Sequence, residues 1–287
     1  MQIDTLDIST YQKVFFTDFS LNIHIIRDDL LHPFISGNKF RKLEGFLRIS
    51  KECKIKKWIT FGGAWSNHLV ATACAGAMNG IQTFAYIRGE KVKNPVLFLC
   101  KQWGMQMEFI SRSDYRLFTQ YRYTQHFIEK DTLWIPEGGS DTLAFEGFKE
   151  LIFNLPNKAK YLFTAVGTGT TLAGLCHYEH PSNIVGIAVL KAENIFDKYL
   201  QKVKKKPILL HDYHLGGYAN TTTKYLNFLT NFSKNTGILL DPIYTGKMVY
   251  AVYDLIKKNF FDKNDNLYLL HTGGLTGILG KWEKYPD

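Results

Sequence analysis

Lys39 stands in the run Gly37-Asn38-Lys39-Phe40-Arg41-Lys42-Leu43-Glu44. A primary amine can form an imine with a carbonyl compound and then serve as a base once it is displaced. Taken alone, a lysine among basic neighbours reads as a solvated side chain, so the rest of the sequence must decide. A second segment, Val166-Gly167-Thr168-Gly169-Thr170-Thr171, follows an apolar run and leads into Leu172-Ala173-Gly174-Leu175, which reads as the start of a helix. Small residues let the backbone curl so that its N–H groups converge, and a helix N-terminus adds a favourable dipole for an anion. The dinucleotide pattern GxGxxG would need glycine where Leu172 stands, and the Walker pattern would need Gly-Lys-Ser/Thr. The loop therefore suits a compact phosphate monoester, with an ordinary strand-to-helix turn as the plain alternative. Ser66-Asn67-His68 opens a further helix, where Ser or Asn serves as an N-cap or the free N–H groups receive a carboxylate.

Stepping outward, β-rich runs alternate with helical ones. The strand-like runs are Lys57 to Phe61, Thr83 to Arg88, Met107 to Ser111, Leu133 to Pro136, Tyr161 to Val166, Ile184 to Leu190, Ile208 to His211 and Leu267 to His271, preceded by an extended Ile23 to Asp28. The predicted helices include Asn67 to Asn79, Asn94 to Gly104, Thr171 to His177, Thr222 to Asn235 and Lys247 to Asn259, with another beginning near Lys39. Such alternation implies an α/β protein with largely parallel sheets. Four strands end in glycine turns, at Gly62-Gly63, Gly138-Gly139, Gly167-Thr168-Gly169 and Gly273-Gly274. Ligands of open parallel sheets bind beyond the carboxyl ends of the strands. Four such turns point to one shared site.

The 287 residues, 45% of them hydrophobic, suffice for roughly two domains. No apolar run approaches the ~20 residues of a membrane span. Met1 to Thr10 lack the basic start and apolar stretch of a secretion signal, so a cytoplasmic location is expected. The four cysteines show no CxxC pair and lie in apolar segments, which implies reduced, buried thiols. The charge of +9 comes from scattered lysines. Its densest run, Lys202 to Lys206, reads as a solvated helix end, so nucleic acid is not an expected partner.

Taken in order, Gly-Asn-Lys39-x-Arg-Lys-Leu-Glu, Ser66-Asn67-His68, Glu137-Gly138-Gly139-Ser140, the loop from Gly167, Asp241-Pro242-Ile243-Tyr244-Thr245-Gly246-Lys247 and His271-Thr272-Gly273-Gly274 resemble the family of 1-aminocyclopropane-1-carboxylate deaminase and D-cysteine desulfhydrase, within the fold type II pyridoxal-phosphate enzymes. The resemblance spans nearly the whole chain. It implies a fold similar to the tryptophan synthase β subunit, with two open twisted, mostly parallel sheets flanked by helices. It further implies a discontinuous large domain, 1–44 plus 136–287, a small domain, 45–135, and a homodimer.

By that resemblance Lys39 holds pyridoxal 5'-phosphate as a Schiff base and later moves protons at the substrate carbon. Gly167, Thr168, Gly169, Thr170 and Thr171 then take the phosphate. Asn67 bonds the ring hydroxyl oxygen, Ser66 faces a small amino-acid substrate, and His68 borders it or only packs. Tyr244 and, less directly, Tyr218 supply hydroxyls that donate to a developing anion or pass a proton. No metal is implied, since no second His or Cys lies at ligand spacing from His68. Two departures bear on loop geometry: Thr170 and Ala64 stand where glycines are expected. A third bears on chemistry. Deaminases similar in this motif carry glutamate at the position of Thr245, where a carboxylate keeps the pyridine nitrogen protonated. A neutral hydroxyl favours β-elimination, because a thiol leaves readily whereas opening a cyclopropane ring needs stronger electron withdrawal. The expectation is a D-cysteine desulfhydrase, with the deaminase as the first alternative and a catalytically weak binder of the cofactor as the second. A serine or threonine dehydratase shares the fold but sets its lysine in a different motif.

Overall fold

The computed structural model describes residues 11–14, 21–191, 194 and 196–285. Within them, eleven strands form two sheets: β1 Tyr11–Val14, β2 Asn22–Ile26, β3 Lys57–Gly63, β4 Gln82–Arg88, β5 Gln106–Ile110, β6 Phe127–Glu129, β7 Thr132–Trp134, β8 Tyr161–Val166, β9 Asn183–Ala188, β10 Ile208–Leu210 and β11 Asn266–Leu270. The larger sheet has the order β1-β2-β11-β8-β9-β10 and the smaller β5-β4-β3-β7-β6. Both are parallel except for their edge strands β1 and β6, which pair antiparallel. These two edge strands, four and three residues long, are absent from the sequence reading. The other strands lie within two residues of their expected bounds.

The helices are α1 Asn38–Glu52, α2 Asn67–Met78, α3 Pro95–Gln102, α4 Arg112–Leu117, α5 Lys149–Asn154, α6 Thr170–His177, α7 Thr223–Thr236, α8 Thr245–Lys257 and α9 Thr276–Leu279. In the large sheet, alternate residues of β8 face opposite ways. Phe163 and Ala165 join α7 and α8 in one core, while Leu162 and Val166 join α5 and α6 in another. Covering both faces is what makes these strands near-continuous apolar runs. The small sheet is covered differently. Trp58, Leu133, Ala85 and Ile87 pack beneath α1, α2 and α3. The opposite face carries Phe61, Tyr86 and Trp134 against Phe118 and Tyr123, with the Tyr123 and Trp134 rings stacked at 4.4 Å.

The strand orders place the glycine turns. From β3 the chain winds outward through α2, β4, α3 and β5, then returns to the other side of β3 as β7. From β8 it winds outward through β9 and β10, then returns as β11 on the other side of β8. Each reversal opens a crevice at the carboxyl ends of the strands. The turns after β3 and β7 line one crevice, and those after β8 and β11 line the other.

One composition reading needs correction and one needs refinement. Cys74, Cys100 and Cys176 are buried free thiols, but Cys53 is exposed, because it sits just past the end of α1 rather than on its buried face. The run Lys202 to Lys206 follows a helix end as expected, with Lys202, Lys204 and Lys206 exposed, but Lys205 has a structural role. The 3-10 turn stops at Lys202, and Lys205 Nζ donates to the carbonyls of His180, Pro181 and Ser182, so it ties the strand connection together. The expectation for Met1 to Thr10 falls outside the described residues. No helix among those described is long and apolar enough to cross a membrane.

Candidate active site

Helix α1 enters the site through Gly37, whose φ of +63° is open to glycine and costly for other residues. A Cβ there would collide with the Thr272 carbonyl at 1.9 Å. The helix start is then fixed to the large sheet from several sides. Gly37 N–H donates to the Asp28 carbonyl, Asn38 N–H to the Thr272 carbonyl, and Asn38 Nδ2 to Thr171 Oγ1 at 2.8 Å. Arg41 grips Asp28 with two parallel bonds of 2.5 and 2.7 Å, both residues buried. A planar guanidinium holds a carboxylate in a fixed orientation, so this pair sets the axis of α1. Lys39 thus lies one residue from a direct contact with Thr171, at the end of the Gly167 loop.

Burial lowers Lys39 to about 8, against the opposing field of Glu137. Lys42, one turn on, is 3% exposed and donates to the Gly138 carbonyl at 3.3 Å. Burial, with Lys39 and Lys198 nearby, pushes its amine well below the usual lysine range. Among the described residues no carboxylate ion-pairs with Lys39, Lys42 or Lys198. Two amines so close together in the interior suit an anionic group.

The loop after β8 supplies the other half of such a cradle. Gly169 is left-handed, with φ +82°, and caps α6, whose first residue is Thr170. Thr170 needs no glycine in its place: its φ is not positive, and its buried hydroxyl bonds Tyr199 at 2.8 Å, Ser140 at 3.0 Å and Thr168 at 3.0 Å. Lys198 Nζ donates to Ser140 Oγ at 2.9 Å. Ala64 is likewise absent from the positive-φ residues. Small turns, a helix N-terminus, three hydroxyl-bearing threonines and unpaired lysines together fit a phosphate monoester.

On the small-sheet side, Ser66 occupies the N-cap of α2, but its hydroxyl makes no capping bond and so is available to the cleft. Asn67 crosses to the large sheet. Thr276 Oγ1 donates to its Oδ1, and a Cβ on Gly274 would come within 2.9 Å of its Nδ2. His68 is buried, and its Nε2 lies 2.8 Å from Thr60 Oγ1, which itself donates to the Ile135 carbonyl. Burial and the nearby Lys39 and Lys42 hold His68 well below the usual histidine range. Glu137 accepts from Tyr115 OH at 2.7 Å.

Beneath the large-sheet rim, the Asp241 carboxylate accepts from the N–H groups of Ile243, Tyr244 and Thr245 and so fixes the start of α8. The Thr245 hydroxyl lies 3.1 Å from that of Thr272. Tyr244 packs at Gly167, where a Cβ would come within 3.0 Å of its ring. Its phenol is raised well above the usual range by burial and by Tyr218. The Tyr218 and Tyr244 rings meet edge to face at 6.3 Å, and Tyr218 is 54% exposed. Tyr218 rides on a loop in which Leu215, Gly216, Gly217 and Ala219 all have positive φ. Lys247, fully buried, donates to the loop carbonyls of His214 and Gly217, both at 2.8 Å.

The structure therefore gathers Lys39, Ser66, Asn67, Gly167 to Thr171, Tyr244, Tyr218 and Thr245 around facing crevices. Sequence reasoning assigned no role to Asn38, Lys42, Glu137, Ser140, Asp241, Lys247 or Thr272, although all lie inside the quoted motifs and could have been found there. Lys198 and Tyr199 carry no local signal. Among the described residues no cluster of three or more His, Cys, Asp or Glu side chains could hold a metal.

A sequence profile for the family described as pyridoxal-phosphate dependent enzyme matches residues 16–273. A Pyrococcus abyssi protein named "Putative 1-aminocyclopropane-1-carboxylate deaminase" is 30% identical over 91% of this chain and 87% of its own length. The bifunctional D-cysteine desulfhydrase/1-aminocyclopropane-1-carboxylate deaminase of Arabidopsis thaliana is 27% identical, over 90% of this chain and 73% of its own. A crystal structure of an ACC deaminase homologue superimposes with a TM-score of 0.84 at 27% identity, covering 96% of this chain and 92% of that one.

Proposed function

The chain belongs to the family of pyridoxal-phosphate dependent enzymes, in its 1-aminocyclopropane-1-carboxylate deaminase and D-cysteine desulfhydrase branch, and on that premise we propose that it removes the β-substituent of a small D-amino acid. The reaction is D-cysteine plus water giving pyruvate, ammonia and hydrogen sulfide. The observation that carries this reading is the neutral pair formed by the Thr245 and Thr272 hydroxyls. Asp241, the acid closest in sequence, has its oxygens committed to three backbone N–H groups. A hydroxyl partner leaves the ring nitrogen less electron-withdrawing than a carboxylate would, which suffices for loss of a thiol after proton abstraction.

When bound, the cofactor supplies an electron sink for charge developing at the substrate α-carbon. Lys39 would hold the cofactor through its amine and is the base that would take the α-proton of the substrate. Its lowered basicity leaves a useful fraction of the amine neutral near neutral pH. Lys42, Thr168, Thr170 and Thr171 hold the phosphate, with Gly167 and Gly169 shaping its turn. Asn67 orients the ring. Ser66 and the N–H groups opening α2 receive the substrate carboxylate, with His68 closing the pocket behind them. Tyr244, backed by Tyr218, passes a proton to the leaving group.

The test is product identity. Purified enzyme with cofactor should release pyruvate from D-cysteine, and Thr245→Glu should shift the product ratio toward 2-oxobutanoate from 1-aminocyclopropane-1-carboxylate. Release of 2-oxobutanoate by the unaltered enzyme without pyruvate from D-cysteine would assign it to the deaminases instead. The division into 1–44 with 136–287 and 45–135 is proposed on the same footing, supported by a small sheet drawn wholly from residues 57–134. A homodimer completes the proposal, and light scattering of the loaded protein checks it.

A further inference from the structure

The carboxyl edge of the small sheet carries charged groups that the reaction above does not use. Arg88 ends β4, and Arg112 and Arg116 lie on α4 just past β5. With Tyr115 and Glu137 they line a hollow of about 300 Å³, room for ~10 water volumes or one small organic molecule. The hollow has three guanidinium groups and a single carboxylate on its walls. Arg112 meets Glu90 at 3.3 Å, but both side chains are at least three-quarters exposed, so the pair holds little energy. Among the described residues no carboxylate ion-pairs with Arg88 or Arg116. Arg88 rests over the Tyr115 ring at 5.8 Å, and Arg116 Nε donates to Gln120 at 3.0 Å. The single carboxylate, Glu137, accepts from the Tyr115 hydroxyl and forms no ion pair with the three arginines, so one negative charge faces three positive ones.

Three guanidinium groups facing one concavity repel each other, and each presents a planar fork that matches an oxyanion. They also lie where parallel sheets bind ligands, past the strand ends. We propose that this hollow is a binding site for a small organic dianion, a dicarboxylate or a phosphate monoester, separated from the Lys39 cleft by the Glu137 wall. Tyr115 sits between Arg112 and Arg116 and holds Glu137, so an occupant abuts the same residue that faces Lys39. The inference rests on the small sheet alone and stands apart from the identity of the amino-acid substrate.

Isothermal titration of the cofactor-loaded protein at low ionic strength, first with succinate and then with inorganic phosphate, tests it. Saturable one-site binding of either probe is expected, at least tenfold weaker for acetate and at least tenfold weaker in the double variant R88Q/R116Q. The substituted side chains are exposed, so the variant should melt with the parent and keep its cofactor absorbance. Response to succinate alone would identify a dicarboxylate site, and response to both a general dianion site. No saturable heat with either probe, or undiminished binding in R88Q/R116Q, would overturn it.

Discussion

The two walls of the cleft differ in how their polar groups are satisfied. On the large-sheet side they satisfy one another: Thr170 with Tyr199, Ser140 and Thr168, Thr245 with Thr272, Asp241 with three N–H groups, and Lys247 with two carbonyls. Two lysines of α1 join no such network among the described residues. Lys39 and Lys42 are pressed toward neutrality by burial, and Lys42 has one carbonyl contact at 3.3 Å. A buried polar group is costly unless it is paired. The first wall therefore holds its own shape while offering some of the same hydroxyls to a ligand, and is complete as a polar network, whereas the second, whose lysines join no such network, is the incomplete one.

Substitutions on the incomplete wall should change ligand chemistry and leave folding intact. The largest effect is expected for Lys39→Ala. It should abolish the visible absorbance of the bound cofactor and reduce pyruvate release by about 10³-fold or more, with an unchanged melting curve; retained absorbance would place the covalent link elsewhere. Next is Lys42→Met, which removes a charge-assisted contact worth about 1.5–3 kcal/mol. Cofactor affinity, measured by equilibrium dialysis, should fall about 10- to 100-fold, while the apoprotein becomes no less stable, because a buried amine with one long carbonyl contact has been replaced by an apolar chain. A loss of apoprotein stability would mean that Lys42 is structural.

The pH dependence sharpens the same contrast. Lys39 at about 8 lies below the ordinary lysine value of 10.5, so the neutral, reactive amine is the folded protein's dominant form above pH 8. The rate of cofactor capture by apoprotein should rise about tenfold per unit up to pH 8 and then level off. A profile that climbs to 10.5 would show that burial does not depress the amine.

The smallest effect belongs to a residue of the complete wall that only holds a loop. Lys247→Met should loosen the strained loop from His214 to Asn220, seen as faster amide exchange there, with a kcat/KM lower by only a few-fold and cofactor affinity preserved. Equal exchange in both proteins would show that the loop holds its conformation without the lysine.

Much of this was legible in the residues themselves. The glycine-bearing strand ends, the lysine at the mouth of a helix and the threonine-rich loop are local features whose backbone chemistry follows from their own sequence. What could not be read were encounters between distant segments. Tyr199 and Lys198 follow no motif, yet they complete the loop because β9 and its connection return beside α6. His68, expected at the substrate, is tied to Thr60 from β3, a partner visible only once α2 packs on its sheet. Cys53 looked like core because the apolar pattern of α1 does not announce where the helix ends.

The sequence alone determined which elements form and which residues can react, since backbone propensity, side-chain period and functional-group chemistry are local properties. Only the tertiary structure decided that two chain reversals, one in each sheet, face each other. That arrangement brings Asn38 onto Thr171 and buries Lys42 beside Lys39 with no carboxylate paired to it among the described residues, because burial and charge pairing are properties of the assembled chain.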